Sequence, residues 1–428
     1  MAEYAVVIPV RVESFDWRAQ GDEWVHRVGE CLAEPAGFSV SGRKYDGTTK
    51  PFIEFTGVGP DGGVLDARLV VIPLQAGVFV VIAGKTEEPD EMIATAWVQA
   101  AQCATARLGS PGTEFRWTAV LAPPPARIGG AEPALASVAT VGAFRLASAG
   151  HPLYEVLRSQ VPSFWSANRG VSWPILVEAG HKGYNWDAAS KAAAFELHRL
   201  SGLLSLAFGE CLVVREAPAP IEWGVRQVPD RLCWQHWPDG DVSPAAKPRN
   251  LVTVPAWAAD AWRQMQRRPR LAHAVAAFHE GLRAQVEHPS LALVAFIASV
   301  ETVADLLFKQ ERCPQCRSHK DVAARFRATL RLVTDEQEAM RLGAAYGPRS
   351  LTVHQGRLHG GETMPGVVGF GWGKDPVREF EWDLLWSMRR VSRDLLRRAV
   401  RGELPTARVA FDPSLHLPPS DPAAERTC

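Results

Sequence analysis

The sequence predicts an α+β protein, with a mixed α/β N-terminal domain followed by an all-α helical bundle. Three observations lead there. Residues 1–215 interleave short β-branched and aromatic runs with helical stretches, residues 256–402 repeat apolar side chains at helical spacing, and a Pro-, Gly- and Asp-rich stretch at 216–255 separates them. With 428 residues and 46% hydrophobic content, the chain can bury a large core in more than one domain.

In the first region, strand patterns occur at residues 5–10, 52–57, 64–74 and 78–83. The Gly-Pro-Asp-Gly-Gly turn at 59–63 joins the second and third as a hairpin. A helix follows over 92–108, then strands near 115–121, 137–146 and 173–177. A long amphipathic helix at 187–209 leads into a strand at 211–215. This region holds no phosphate-binding Gly loop, no nucleophile elbow and no metal-type His pair. Its tryptophans, Trp165, Trp173 and Trp186 among them, read first as core. A sensing, targeting or substrate-selecting role is the expectation for this region.

Pro218, Pro220, Pro229, Pro238, Pro244, Pro248 and Pro255 mark the linker. Beyond it, Leu271, Val275, Phe278, Leu282 and Val286 form one helical face. Residues 291–308 are apolar on nearly all sides but interrupted by Ser299, Glu301, Thr302 and Asp305; this predicts the central helix of a soluble bundle, too polar and too short to span a bilayer. Helices are expected over 319–333, from Asp335 toward Tyr346, and over 376–401 with Leu384, Met388, Val391 and Leu395 inward. Residues 403–428, with Pro413, Pro418, Pro419 and Pro422, read as a disordered tail.

Between the last two helices lies Tyr346-Gly-Pro-Arg349-Ser350-Leu-Thr-Val-His354-Gln-Gly356. A guanidinium offers a rigid donor fork that matches phosphate oxygens, and an imidazole titrates near pH ~6.5. Those are the two groups that metal-free RNA cleavage needs.

Together with "AVAAFHEGL", "ALVAFIASVET" and "DVAARFRATL", this motif resembles the HEPN superfamily of helical nucleic-acid enzymes, Apea-like branch, over roughly residues 255–402. Two departures stand out. Pro348 precedes the Arg directly and would kink or restart a helix, and the Gly expected straight after the His is displaced to Gly356 by Gln355. The resemblance implies a metal-independent endoribonuclease without cofactor, in which Arg349 neutralises the scissile phosphate and His354 serves as general acid or base while the ribose 2′-hydroxyl attacks. It further implies a homodimer formed through the helical domain and a role in stress or anti-phage defence. Tyr346 and Ser350 are expected to touch the substrate. The alternative is a non-catalytic HEPN module that binds RNA or a nucleotide, or stabilises a dimer, with the N-terminal domain doing the recognising.

Charge distribution suits an RNA partner. The formal net charge is zero, yet residues 255–404 hold 23 Lys and Arg against 17 Asp and Glu, net +6, while residues 1–254 are net −5. Arg390, Arg393, Arg397 and Arg401 fall along one helix face, a candidate backbone-binding stripe whose plain alternative is a solvated surface. The seven Cys are an odd, scattered set that predicts reduced thiols. Cys313-Pro-Gln-Cys316, with His319, has a zinc-knuckle spacing that Cys233 and His236 could complete; a redox pair and plain thiols are the alternatives. Neither a signal segment nor a membrane span is read, so the expected location is cytoplasmic.

Overall fold

The computed structural model describes residues 6–11, 15–36, 39–46, 52–58, 63–74, 77–84, 91–124, 133–148, 175–221, 250–285, 287–310, 321–356, 382–405 and 408–411. The fold is α+β. The chain divides into two compact units, Met1–Phe115 with His181–Lys191, and Arg116–Gly180 with Ala192–Cys428. This division runs through the 1–215 segment expected as one domain, because the strands after residue 115 form a separate sheet.

In the first unit, β1 (Val6–Arg11), β2 (Ser39–Asp46), β3 (Phe52–Val58), β4 (Val64–Leu74) and β5 (Gly77–Gly84) form an antiparallel sheet in the order β1-β5-β4-β3-β2. Ile53 pairs with Val71 and Phe55 with Leu69, the register that the predicted β3–β4 hairpin requires. Two helices, α1 (Trp17–Ala36) and α2 (Glu91–Ala106), complete the unit. Trp24, Val28, Cys31 and Leu32 make one buried stripe on α1, and Trp97, Ala100, Ala101 and Ala104 make another on α2. The small alanines let the helices approach closely, and Trp24 Nε1 donates to Thr105 Oγ1 at 3.0 Å. Against the expectation of reduced thiols, Cys31 and Cys103 are joined by a disulfide with Cα atoms 6.2 Å apart. Their separation of 72 residues hid the pairing, which only helix packing creates. Cys211 is buried and takes no part in a disulfide.

The second unit contains the five-stranded sheet β11-β6-β10-β9-β8. Its strands are β6 (Thr113–Ala122), β8 (Ala139–Val141), β9 (Phe144–Ser148), β10 (Ile175–Gly183) and β11 (Val213–Pro220). β7 (Pro133–Leu135) pairs in parallel with β12 (Asn250–Val252), so the end of the expected linker is strand rather than irregular chain. Trp165 and Trp173 lie outside the described residues, as does most of the linker.

Eight helices follow from residue 186 onward among the described residues. They are α3 (Trp186–Phe208), α4 (Ala258–Arg267), α5 (Pro269–Ala284), α6 (Pro289–Leu307), α7 (Val322–Leu330), α8 (Glu336–Gly343), α9 (Tyr346–Gln355) and α10 (Trp382–Val400). α6 is central, packing against α5, α7, α9 and α10. Leu271, Val275, Phe278 and Leu282 are buried on α5, as are Leu384, Met388, Val391 and Leu395 on α10. Phe278 of α5 meets Phe296 of α6 with ring centroids 5.5 Å apart.

By length and composition α6 does reach what a bilayer span needs, which corrects its reading as too short and too polar; 61% of its apolar window is buried inside the protein. The tail is tied down further than expected. Val409 exchanges backbone hydrogen bonds with Leu307 and Lys309, and Phe411 packs on Phe308 at 5.3 Å, so residues 408–411 dock at the end of α6.

Candidate functional site

Helix α9 carries the Arg/His motif, and its start explains how Pro348 is tolerated. A two-residue turn at Ala344-Ala345 ends α8, and α9 begins afresh at Tyr346. Pro348 thus sits in the first turn, where a backbone N–H has no helical acceptor in any case. Arg349 N donates to Ala345 O at 3.2 Å, so the helix proceeds normally through the residue after the proline. At the other end Gly356 has φ +65° and donates to Thr352 O at 3.1 Å. The displaced glycine is therefore the helix C-cap, a left-handed position that disfavours a side chain.

Tyr346 and Arg349, three residues apart, share a face and meet Glu301 of α6. Tyr346 Oη donates to Glu301 Oε1 at 2.5 Å, and Arg349 Nη2 donates to Oε2 at 3.1 Å. The guanidinium also lies over the Tyr346 ring, 5.4 Å from its centroid. One carboxylate thus orients both side chains. Burial, followed by the hydrogen bond to Glu301, pushes the Tyr346 phenol above its ordinary pKa and keeps it a donor. Arg349 Nε is buried with no hydrogen-bond partner among the described residues.

Next to this cluster, α6 and α7 line an open cleft of about 290 Å³ whose polar residues include Glu301, Thr302, Asp305 and Arg325. Arg325 is 3% exposed, and its Nη1 reaches Asp305 Oδ1 at 3.5 Å. Three of the four polar residues that interrupt the apolar run of α6, Glu301, Thr302 and Asp305, therefore collect on one side, while Ser299 is buried and donates to Phe296 O. In the sequence these interruptions marked only a helix too polar to span a bilayer; in the fold they gather beside the α9 motif. Glu301 meets Tyr346 and Arg349 of α9, a contact that its one-turn offset from Asp305 does not by itself reveal.

His354 lies on a different part of α9. Five residues along a regular helix turn a side chain by about 140° beyond a full revolution and advance it about 7.5 Å. His354 is exposed, whereas Arg349 is partly buried against α6. Within one copy, then, the two expected catalytic groups do not face one another. The Ser350 side chain lies outside the described residues, as do Cys313, Cys316, His319, Cys233 and His236.

The arginine stripe of α10 divides by role. Arg393 donates to Leu206 O at 3.1 Å and Ala207 O at 3.0 Å, and Arg389 donates to Gly209 O at 2.5 Å; both cap the C-terminal end of α3. Burial lowers the Arg393 pKa, with the nearby Arg397 acting in the same direction. Arg393 is accordingly a structural tether. Arg397 stacks over the Trp257 ring at 5.8 Å, while Arg390 is exposed and reaches Glu338 at 3.4 Å.

Compared with known protein families, curated proteins and solved structures, the chain matches none.

Proposed function

We propose that this protein is a metal-independent endoribonuclease whose active unit is a homodimer. The observation that carries the reading is the Tyr346–Glu301–Arg349 cluster: a guanidinium held by a carboxylate and a tyrosine on the same short helix that displays an exposed imidazole. In the reaction, a ribose 2′-oxygen attacks the adjacent phosphorus and loses its proton to a base, and the 5′-oxygen leaves with a proton from an acid. The products are a 2′,3′-cyclic phosphate and a 5′-hydroxyl. His354 supplies a proton-transfer group, worth on the order of 10² to 10⁴ in rate. Arg349 supplies charge to the phosphorane, worth on the order of 10² to 10³. Because helix geometry sets the two on different faces of α9, the reading assigns them to one phosphate from two copies.

A second reading has its own support. Glu301 already balances the charge of Arg349, which suits a structural or nucleotide-binding role without turnover. Incubating the protein with total RNA and tRNA in the presence of chelator separates the two. Fragments ending in cyclic phosphate, lost in Arg349→Ala and His354→Ala, support the nuclease. Cleavage that survives in both variants, or that needs a divalent ion, rejects it, and binding without cleavage selects the second reading.

A further inference from the structure

Away from α9, helices α3 and α5 bring together His198, His279 and Glu280, whose ligand atoms all lie within 4.8 Å of one another. The rings of His198 and His279 are 5.3 Å apart between centroids. His198 Nε2 is 3.7 Å from Glu280 Oε1. Two donors on a tetrahedral zinc ion, each bonded at about 2.0–2.1 Å, stand roughly 3.3 Å apart, so this pair is nearly at ligand spacing.

His279 provides the independent sign of a ligand. The residue is 1% exposed, and its Nε2 lies 2.6 Å from Leu212 O. A carbonyl accepts only, so Nε2 carries the proton and Nδ1 holds the lone pair. That Nδ1 is buried and has no hydrogen-bond partner among the described residues. A metal-binding imidazole is arranged this way: one nitrogen is fixed by a backbone carbonyl, and the other is deprotonated and free to coordinate.

We infer that His198, His279 and Glu280 form a binding site for a divalent transition-metal ion of the zinc type. Two imidazoles and one carboxylate suit zinc over magnesium or calcium, which prefer all-oxygen shells. His198 and Glu280 are partly solvent-exposed, leaving a fourth position open to water. The ion ties α3 to α5. Arg283, whose Nη1 donates to Glu280 Oε1 at 2.9 Å, is the built-in competitor for the carboxylate. This site is separate from the α9 motif and does not depend on the nuclease reading.

The test uses the full chain with Cys313→Ser and Cys316→Ser, so that those thiols cannot hold the ion. Metal is stripped with chelator, and Zn²⁺ binding is followed by equilibrium dialysis with elemental analysis. One equivalent is expected. Affinity should fall on the order of 100-fold or more in His198→Ala and in Glu280→Ala, since losing even an outer-shell partner costs 10- to 100-fold. It should rise in Arg283→Ala. Both His198 and Glu280 are exposed enough that their variants should fold, which far-UV circular dichroism checks. Zn²⁺ should also raise Tm in the parent and leave His198→Ala unmoved. Absence of Zn²⁺ binding in the parent, or equal affinity in parent and His198→Ala, overturns the assignment.

Discussion

Glu301 accepts from Arg349 at 3.1 Å across the α6–α9 contact, and it is the residue on which the motif's geometry turns. Its other oxygen accepts from Tyr346, so both long side chains of the first turn of α9 are positioned by one carboxylate. Neither Glu301 nor Arg349 is more than about a fifth exposed, and breaking such a pair leaves a poorly solvated charge. Glu301→Gln should destabilise the protein by about 2 kcal/mol and Tyr346→Phe by about 1 kcal/mol in denaturant unfolding. The double variant should lose less than the sum, because both changes break one network.

Tyr346 also sets a pH dependence. Its folded pKa is raised, so the unfolded chain releases the phenolic proton first as pH climbs past about 10. Its contribution to stability is complete below that pH and is lost as pH rises through the folded value. Of the five tyrosines, Tyr184 is shifted the same way by burial and by Asp22, Glu23 and Asp187. Spectrophotometric titration should show late-ionising tyrosine absorbance, and Tyr346→Phe should remove the latest component.

Cys31–Cys103 closes a long loop. On the chain-entropy account, cross-linking residues 72 apart stabilises by about 4 kcal/mol. Peptide mapping under non-reducing conditions should recover the linked pair. Cys103→Ala should lower Tm, and added reductant should lower the parent's Tm without changing that of the variant.

The α10 stripe yields a contrast between neighbours. Arg393→Ala removes donors to the last carbonyls of α3 and should cost about 2 kcal/mol, while Arg390→Ala, at an exposed side chain, should cost under about 0.5 kcal/mol. Gly209 shows how tight the tether is: its φ is +76°, and an added Cβ would fall 2.4 Å from the Arg393 guanidinium. Gly209→Ala should therefore be as damaging as Arg393→Ala in thermal unfolding.

Much of this was legible in the sequence. The apolar periodicity of Leu271 to Leu282 and of Leu384 to Leu395 marked helices whose buried faces match, and the turn after Val58 gave the β3–β4 pairing. Helix α1 was missed because polar and charged residues such as Gln20, Asp22 and Glu23 fill most of its turns and leave only a narrow apolar stripe. Non-local features had no sequence signal: the Cys31–Cys103 bridge, the docking of Val409 on Leu307, and the change of sheet near residue 115 arise only when elements pack. At the site, the Arg/His spacing was visible from residue types alone. The role of Glu301 was not, since it depends on the crossing of α6 and α9.

In the proposed reaction, Arg349 of one copy and His354 of another act on a single phosphodiester. Co-expressing Arg349→Ala with His354→Ala, under separate tags, tests it through the purified mixed dimer. One shared site would then keep both an intact Arg349 and an intact His354, so chelator-resistant RNA cleavage should return to about half the parent rate, although each variant alone is inactive. A mixed dimer as inactive as either variant, beside a parent that cuts RNA, would contradict the claim.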